Sequence, residues 1–260
     1  MDAARKTELL EQLVGILAEE RGIEMPTSGL DLWPTFRALV NTRPPWPAGE
    51  RFLSLQDELL QGMIADVGVS GLDAATAAPV DARLALWRGD ITTLAVDAIV
   101  NAANSQMLGC WAPTHLCIDN AIHTFSGVQL RIECARIMDA QGHEEPTGQA
   151  KITPGHNLPA RHVIHTVGPI ANGRPTDEHR AQLAECYESC LSLASERGLS
   201  SIAFCCISTG VFGFPQREAA EIAVRAVREW LDASASDMAV VFNVFTEKDE
   251  RIYRELLGLS

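Results

Sequence analysis

A chain of 260 residues, 47% of them hydrophobic, is long enough for one large domain, or a domain with an appendage, around a sizeable core. With 21 Lys and Arg against 34 Asp and Glu it carries a net charge of −13, so there is no footprint for a nucleic-acid backbone, and any bound phosphate must be held locally by backbone N–H groups or a helix N-terminus. Seven cysteines form an odd set without disulfide-framework spacing, no apolar run approaches the roughly 20 residues of a membrane span, and the opening Met1–Gln12 stretch is charged and helical in pattern rather than a signal peptide. A protein of a reducing compartment, the cytoplasm, with neither nucleic-acid nor membrane partner, is expected.

Leu9, Leu10, Leu13, Val14, Ile16 and Leu17 make a helical apolar stripe. A second helix is predicted over about Leu30–Val40, ending before the breaker run Arg43-Pro44-Pro45-Trp46-Pro47. Phe52, Leu55, Leu59, Leu60, Met63 and Ile64 mark a third. Trp33, Trp46 and Phe52 offer large apolar faces, so this helical extension, residues 1–79, is expected to pack on the main body. Val67–Pro79, rich in Gly and Ala, reads as a linker.

From Val80 strands alternate with helices. Strands are predicted at Arg83–Trp87, Asp97–Asn101, Ala150–Thr153, His162–Val167, Ser201–Ile207 and Met238–Phe245. Helices are predicted at about Ile118–Ala140, Glu178–Arg197, Glu218–Leu231 and Asp249–Leu257. This alternation predicts an α/β fold over residues 80–260, three layers with helices on both faces of a mixed central sheet.

In such sheets ligands bind beyond the carboxyl ends of the strands. Asp90, after Gly89 at a strand end, is placed to accept hydrogen bonds from an adenine amino group, or to cap a turn. Asn101 and Asn104 bracket two alanines after a strand; their amides suit sugar hydroxyls, or simple turn chemistry. Gly109–His123 holds Cys110, His115 and Cys117 in a Cys-x4-His-x-Cys spacing, then Asp119 and His123 four apart on a helix. Two thiolates and an imidazole suit zinc, and three protein ligands leave a fourth position open as in catalytic sites; ordinary loop residues are the alternative. Ser208-Thr209-Gly210-Val211-Phe212-Gly213-Phe214-Pro215 links a strand to a helix. Its backbone N–H groups would cradle a pyrophosphate, with Phe212 and Phe214 over a ribose, unless the loop is a plain connector. No Walker lysine or Gly-x-Gly-x-x-Gly is present. Cys134, Cys186, Cys190, Cys205 and Cys206 read as small buried residues and His165 as structural; His143, His156 and His179 suggest no partner.

Together these stretches resemble a macrodomain, the ADP-ribose-binding fold. The resemblance is carried in order by Gly89-Asp90-Ile91-Thr92, Asp97–Asn104, Pro146–Ala150, Val163–Pro169, Ser208–Pro215, Phe245–Asp249 and Ile252-Tyr253, and it spans about residues 80–258. Where most hydrolytic macrodomains carry a glycine-rich run before Asp-x-x-Ile-His, this chain carries Cys110–Cys117. That departure resembles the zinc-dependent branch, whose members also bear a helical N-terminal extension.

The resemblance implies a zinc-dependent hydrolase removing mono-ADP-ribose from protein side chains by cleavage at the distal ribose C1″, with one zinc held by Cys110, His115 and Cys117. It implies Asp90 at the adenine with Ile91 beside it, Phe245 stacking nearby, and Ser208, Thr209, Gly210, Val211, Phe212, Gly213 and Phe214 around the diphosphate and proximal ribose. Asn101 and Asn104 would position the distal ribose, Asp119 would act as general base or orient the attacking water, and His123 would support the site. Zinc would serve as a Lewis acid. ADP-ribose and an ADP-ribosylated protein are the implied ligands. Some members of the branch are linked to a sirtuin-type ADP-ribosyltransferase and a lipoyl-carrier protein. A non-catalytic ADP-ribose reader with structural zinc, an O-acetyl-ADP-ribose deacetylase and a scaffold built on residues 1–75 are the rival readings.

Overall fold

The computed structural model describes residues 1–24, 29 and 31–259. Three helices open the chain: α1 (Ala3–Arg21), α2 (Leu32–Asn41) and α3 (Glu50–Val67). Asp2 caps α1, and Gly22, with φ +62°, ends it in the left-handed region. The predicted start of the second helix at Leu30 lies outside the described residues; α2 runs to Asn41, just short of the proline run. Leu9, Leu13, Leu17, Leu59 and Leu60 are wholly buried in a cluster that also takes in Phe36 and Phe52. Each such leucine stabilises by about 1.5–3 kcal/mol. The cluster continues into the main body through Val128, and Trp33 stacks on Phe36 and meets Phe125 at a tilt, each ring centroid 5.7 Å away.

Strands β1 (Thr76–Ala78), β2 (Asp81–Arg88), β3 (Ala98–Ala103), β4 (Ala150–Pro154), β5 (His162–Val167), β6 (Ser201–Phe204) and β7 (Ala239–Val244) form one sheet in the order β1-β2-β7-β6-β3-β5-β4. The five inner strands are parallel, and β1 and β4 close the edges antiparallel, so the sheet is mixed as expected. The stretch read as a linker therefore supplies an edge strand. Its alanines need little room, and Thr76↔Leu86 pairing satisfies backbone groups that a free linker would leave to water. β6 is shorter than predicted: Cys205–Ile207 have already turned out of the ladder, and Cys206 is half-buried rather than core.

The predicted helix 118–140 is two helices, α4 (Ile118–Ser126) and α5 (Val128–Gln141). Gly127 breaks it at φ +95°, where a Cβ would stand 2.5 Å from Gln56 Nε2 and 2.6 Å from Gln129 Oε1. Gln56 Oε1 instead accepts the Val128 N–H at 2.9 Å, so a side chain of α3 caps α5. α6 (Asp177–Glu196), α7 (Gln216–Ala233) and α8 (Glu247–Leu256) pack on one another, whereas α4 and α5 contact β3 and β4 and carry the extension. No helix among the described residues is long and apolar enough to cross a membrane.

Candidate active site

The parallel order puts the carboxyl ends of β2, β7, β6, β3 and β5 along one rim, and every candidate stretch leaves the sheet there. At the end of β2, Asp90 caps a short 3-10 turn, its Oδ1 accepting from Thr92 N at 3.0 Å and Thr92 Oγ1 at 2.7 Å. The capping alternative is thus realised, while the exposed carboxylate keeps Oδ2 for a ligand donor. Ile91 is buried, so any ligand contact it makes is through its backbone. Phe245, just beyond β7, is 77% exposed and presents a flat ring at the rim.

The 208–215 loop is strained and tied down. Ser208 sits at φ +64°, and a Cβ on Gly168 would collide with Ser208 Oγ. Phe212 O accepts from Ala171 N and Asn172 N, and Gly213 O from Gly173 N at 2.7 Å. The N–H groups of Gly210, Val211 and Phe212 donate to no backbone carbonyl among the described residues, which makes the loop tip a cradle for an anion. Phe214 departs from expectation: it is 2% exposed, sunk into the main core at the start of α7, so its ring covers no ribose. Phe212 is half-buried and remains at the loop.

Asn101, wholly buried in β3, donates from Nδ2 to Asp119 Oδ1 at 2.8 Å and meets His165 Nδ1 at 3.1 Å. Its Oδ1 is buried without a partner, an acceptor lacking a donor that a sugar hydroxyl would supply. Burial pushes the Asp119 carboxyl up to about 6, against the pull of the Asn101 hydrogen bond and Arg131. Asp119 Oδ2 accepts no hydrogen bond among the described residues. His123 Nε2 lies 3.5 Å from Asp119 Oδ1, too long and poorly aligned for a hydrogen bond. Burial, with Arg131 and His165 nearby, drives that imidazole far below its ordinary range, so it is neutral at pH 7 and the contact is no ion pair. Asn104 shapes its own loop, donating to Gly109 O at 3.1 Å and accepting from Gln106 N at 3.0 Å, so turn chemistry is present there.

Cys110, His115 and Cys117 come together: one donor atom from each lies within 4.8 Å of the others. Cys110 Sγ is 3.4 Å from His115 Nδ1. Two such ligands on a tetrahedral zinc would stand about 3.6 Å apart, from bond lengths near 2.3 and 2.05 Å. Cys117 Sγ accepts from Asn120 N at 3.4 Å and so caps α4, where the helix dipole favours a thiolate. Burial pushes the Cys117 thiol up to about 12, so a thiolate there needs a cation beside it. The donor set, its spacing and its half-buried position fit a zinc ion.

A second group, His123, Cys134 and His165, is wholly enclosed. His165 Nε2 there already meets Thr153 Oγ1 at 3.0 Å and its Nδ1 meets Asn101, so it serves the core, as expected.

Sequence reasoning missed the side chains that hold the Leu108–Cys117 loop. Arg131 Nε donates to Leu108 O at 2.6 Å, its Nη1 to Val40 O and Arg43 O, and its guanidinium lies 4.4 Å over the Trp111 ring. Asn120 Nδ2 donates to Ala112 O at 3.1 Å. A charged residue on the apolar face Val128-Leu130-Arg131-Cys134 was the available signal.

The family model described as Macro domain matches residues 100–223. The chain is 54% identical over 258 residues to a protein of Treponema medium named Protein-ADP-ribose hydrolase, covering 98% of each. An Oceanobacillus iheyensis macrodomain solved with ADP superposes with a TM-score of 0.61 at 42% identity, over 67% of this chain and 90% of that one. A Trypanosoma brucei macrodomain in complex with ADP-ribose gives 0.66 at 32% identity, over 85% and 95%. With the sheet order, the rim loops and these matches agreeing, the chain belongs to the macro domain family.

Proposed function

We propose that the protein is a zinc-dependent hydrolase that removes mono-ADP-ribose from protein side chains by cleavage at the distal ribose C1″. The observation that carries this reading is the adjacency of a three-donor metal set to a buried acid: Cys117 and Asp119 lie two residues apart at the head of α4, beside Asn101 with its unpartnered Oδ1. The hydrolase name of the 54% identical relative supports it.

Asp90 and Phe245 hold the adenine end, and the N–H groups of the 210–212 tip bind the diphosphate. Asn101 Oδ1 accepts a distal ribose hydroxyl while its Nδ2 fixes the Asp119 carboxylate in one rotamer. Asp119, raised toward neutrality by burial, takes the proton of the attacking water through the oxygen left free. The water oxygen bonds to C1″ as the bond from C1″ to the side-chain oxygen breaks, and the side chain leaves as a carboxylate or, taking up that proton, as a hydroxyl. Asn104 acts through the loop it pins. Cys110, His115 and Cys117 would hold the zinc, which when bound would supply Lewis-acid polarisation to the site. In this reading the compartment is the cytoplasm and the partners are ADP-ribose and a mono-ADP-ribosylated protein, with a sirtuin-type ADP-ribosyltransferase and a lipoyl-carrier protein as further candidates.

The test is release of ADP-ribose from serine-linked and acid-linked modified proteins by wild type, Cys110→Ala and Asp119→Ala, with metal content measured in each. Wild type should release ADP-ribose and carry one zinc. Both variants should lose release by roughly 100-fold or more, and Cys110→Ala should still bind free ADP-ribose. Equal release by all three would remove both roles. Tight binding with no release by wild type would make the protein a reader.

A further inference from the structure

The loop that carries Cys110, His115 and Cys117 has no regular secondary structure between β3 and α4. Its shape is set by side chains reaching in from outside, and one comes from the extension. Arg37, half-buried on α2, donates from Nη2 to His115 O at 3.3 Å and to Asn120 Oδ1 at 2.6 Å. Asn120 holds the loop on two further sides: its Nδ2 donates to Ala112 O, and its backbone N–H to Cys117 Sγ. Asn41, one turn on from Arg37, donates to Asn120 Oδ1 at 3.2 Å and Thr124 Oγ1 at 2.8 Å, fixing that amide against α4. One guanidinium is thus coupled to the backbone of His115 and, through the single residue Asn120, to Ala112 O and the thiol of Cys117.

We infer that α2 is the positioning element of the metal loop, with Arg37 as the residue through which the extension sets metal affinity. The inference rests on the metal reading above. The physical reason is preorganisation. A loop of this length without a ladder samples many arrangements, and apparent affinity falls by the fraction of them in which three donors face one point. An arginine can hold two acceptors at once because its donors are fixed in a planar fork. The extension would then do more than add a helical core: it would keep the donor set assembled before metal arrives.

The experiment uses the full chain as wild type, Arg37→Ala, Arg37→Lys and, as a control within the extension, Arg5→Ala. Arg5 pairs with Glu58 on the exposed side of α1 and α3, remote in its bonding from the loop. Two readouts are taken: zinc affinity by chelator competition, and the rate at which Cys110 and Cys117 of the metal-free protein react with a disulfide reagent. ADP-ribose affinity is measured alongside by calorimetry. Arg37→Ala should weaken zinc at least tenfold and raise the thiol rate several-fold, with ADP-ribose affinity within about twofold. Arg37→Lys, a single point donor, should fall between wild type and Arg37→Ala, and Arg5→Ala should match wild type in all three. Zinc affinity and thiol rate of Arg37→Ala within twofold of wild type overturn the inference, as does an equal loss in Arg5→Ala. If wild type binds no zinc, the metal reading fails by itself, and the thiol rates still decide whether Arg37 holds the loop.

Discussion

Replacing Arg131 with methionine isolates the largest polar junction between the extension and the site loop. The guanidinium is 4% exposed and donates to three carbonyls, Leu108 at 2.6 Å, Val40 at 3.0 Å and Arg43 at 2.7 Å. Hydrogen bonds from a charged donor stabilise by roughly 1.5–3 kcal/mol each, and the stacking over Trp111 adds about 1 kcal/mol. Against this, burial pulls the guanidinium down to about 10, a cost of about 3 kcal/mol that methionine would not incur. The bonds win, because their loss strands carbonyls that cannot reach water. Arg131→Met should lose about 3–4 kcal/mol, which for a chain of this size lowers Tm by roughly 10 °C. Calorimetry and urea unfolding measure it. Arg131→Lys, reaching fewer of the three carbonyls, should recover part of the loss. An Arg131→Met midpoint within 2 °C of wild type would show that the desolvation cost cancels the bonds and that the junction contributes nothing net.

Asn101→Ala strips Asp119 Oδ1 and His165 Nδ1 of their shared donor, so single-turnover release of ADP-ribose should fall roughly ten- to hundredfold; a change under twofold would contradict the role given to this amide. Phe245 and Phe214, both expected at the ligand, should separate cleanly: Phe245→Ala should weaken ADP-ribose binding at unchanged Tm, whereas Phe214→Ala should cost about 3–5 kcal/mol of stability as a core truncation. The reverse pattern in calorimetry would mean that the burial of these rings is misassigned. Stability of the metal-free protein should fall with pH. Burial holds His165 down at about 3 and His123 far below its ordinary range, while both take protons near pH 6.5 once unfolded. Stability fully present above pH 6.5 is therefore lost as pH falls, by somewhat over ~1 kcal/mol per pH unit for each group. Asp119 acts in the opposite sense, because its folded-state value of about 6 lies above the unfolded one and the fold takes up a proton between pH 6 and 4. Urea midpoints should begin to fall near pH 7 and steepen toward pH 6, then continue below it at about the slope of one imidazole because Asp119 offsets the other; a flat profile from pH 7 to 5 would contradict the burial of these imidazoles.

What the chain carries locally was readable without coordinates. The period-3.6 stripe of Leu9–Leu17, the β-branched runs at Ile99–Val100 and Val163–Ile164, and the spacing of Cys110, His115 and Cys117 each express a property of a short stretch of backbone. Asn104 and Asp90 each bond within their own turns, which a short polar side chain does whether or not a ligand comes, so a local signal of this kind reads two ways. The break at Gly127 lies at the limit of such reading. A glycine inside a helical pattern is tolerated, and only the approach of Gln56 from α3 makes +95° the required φ. Burial and cross-chain pairing belong to the tertiary structure alone. Phe212 and Phe214 are two residues apart in one loop, yet packing sends one to the rim and the other to the core. Arg37 and Arg131 reach loop carbonyls 78 and 23 residues away in sequence, and no periodicity encodes such contacts. The donor types of this site are a property of the sequence. Their assembly at one point depends on groups distant in the chain, because a loop without a ladder takes its shape from whatever packs around it.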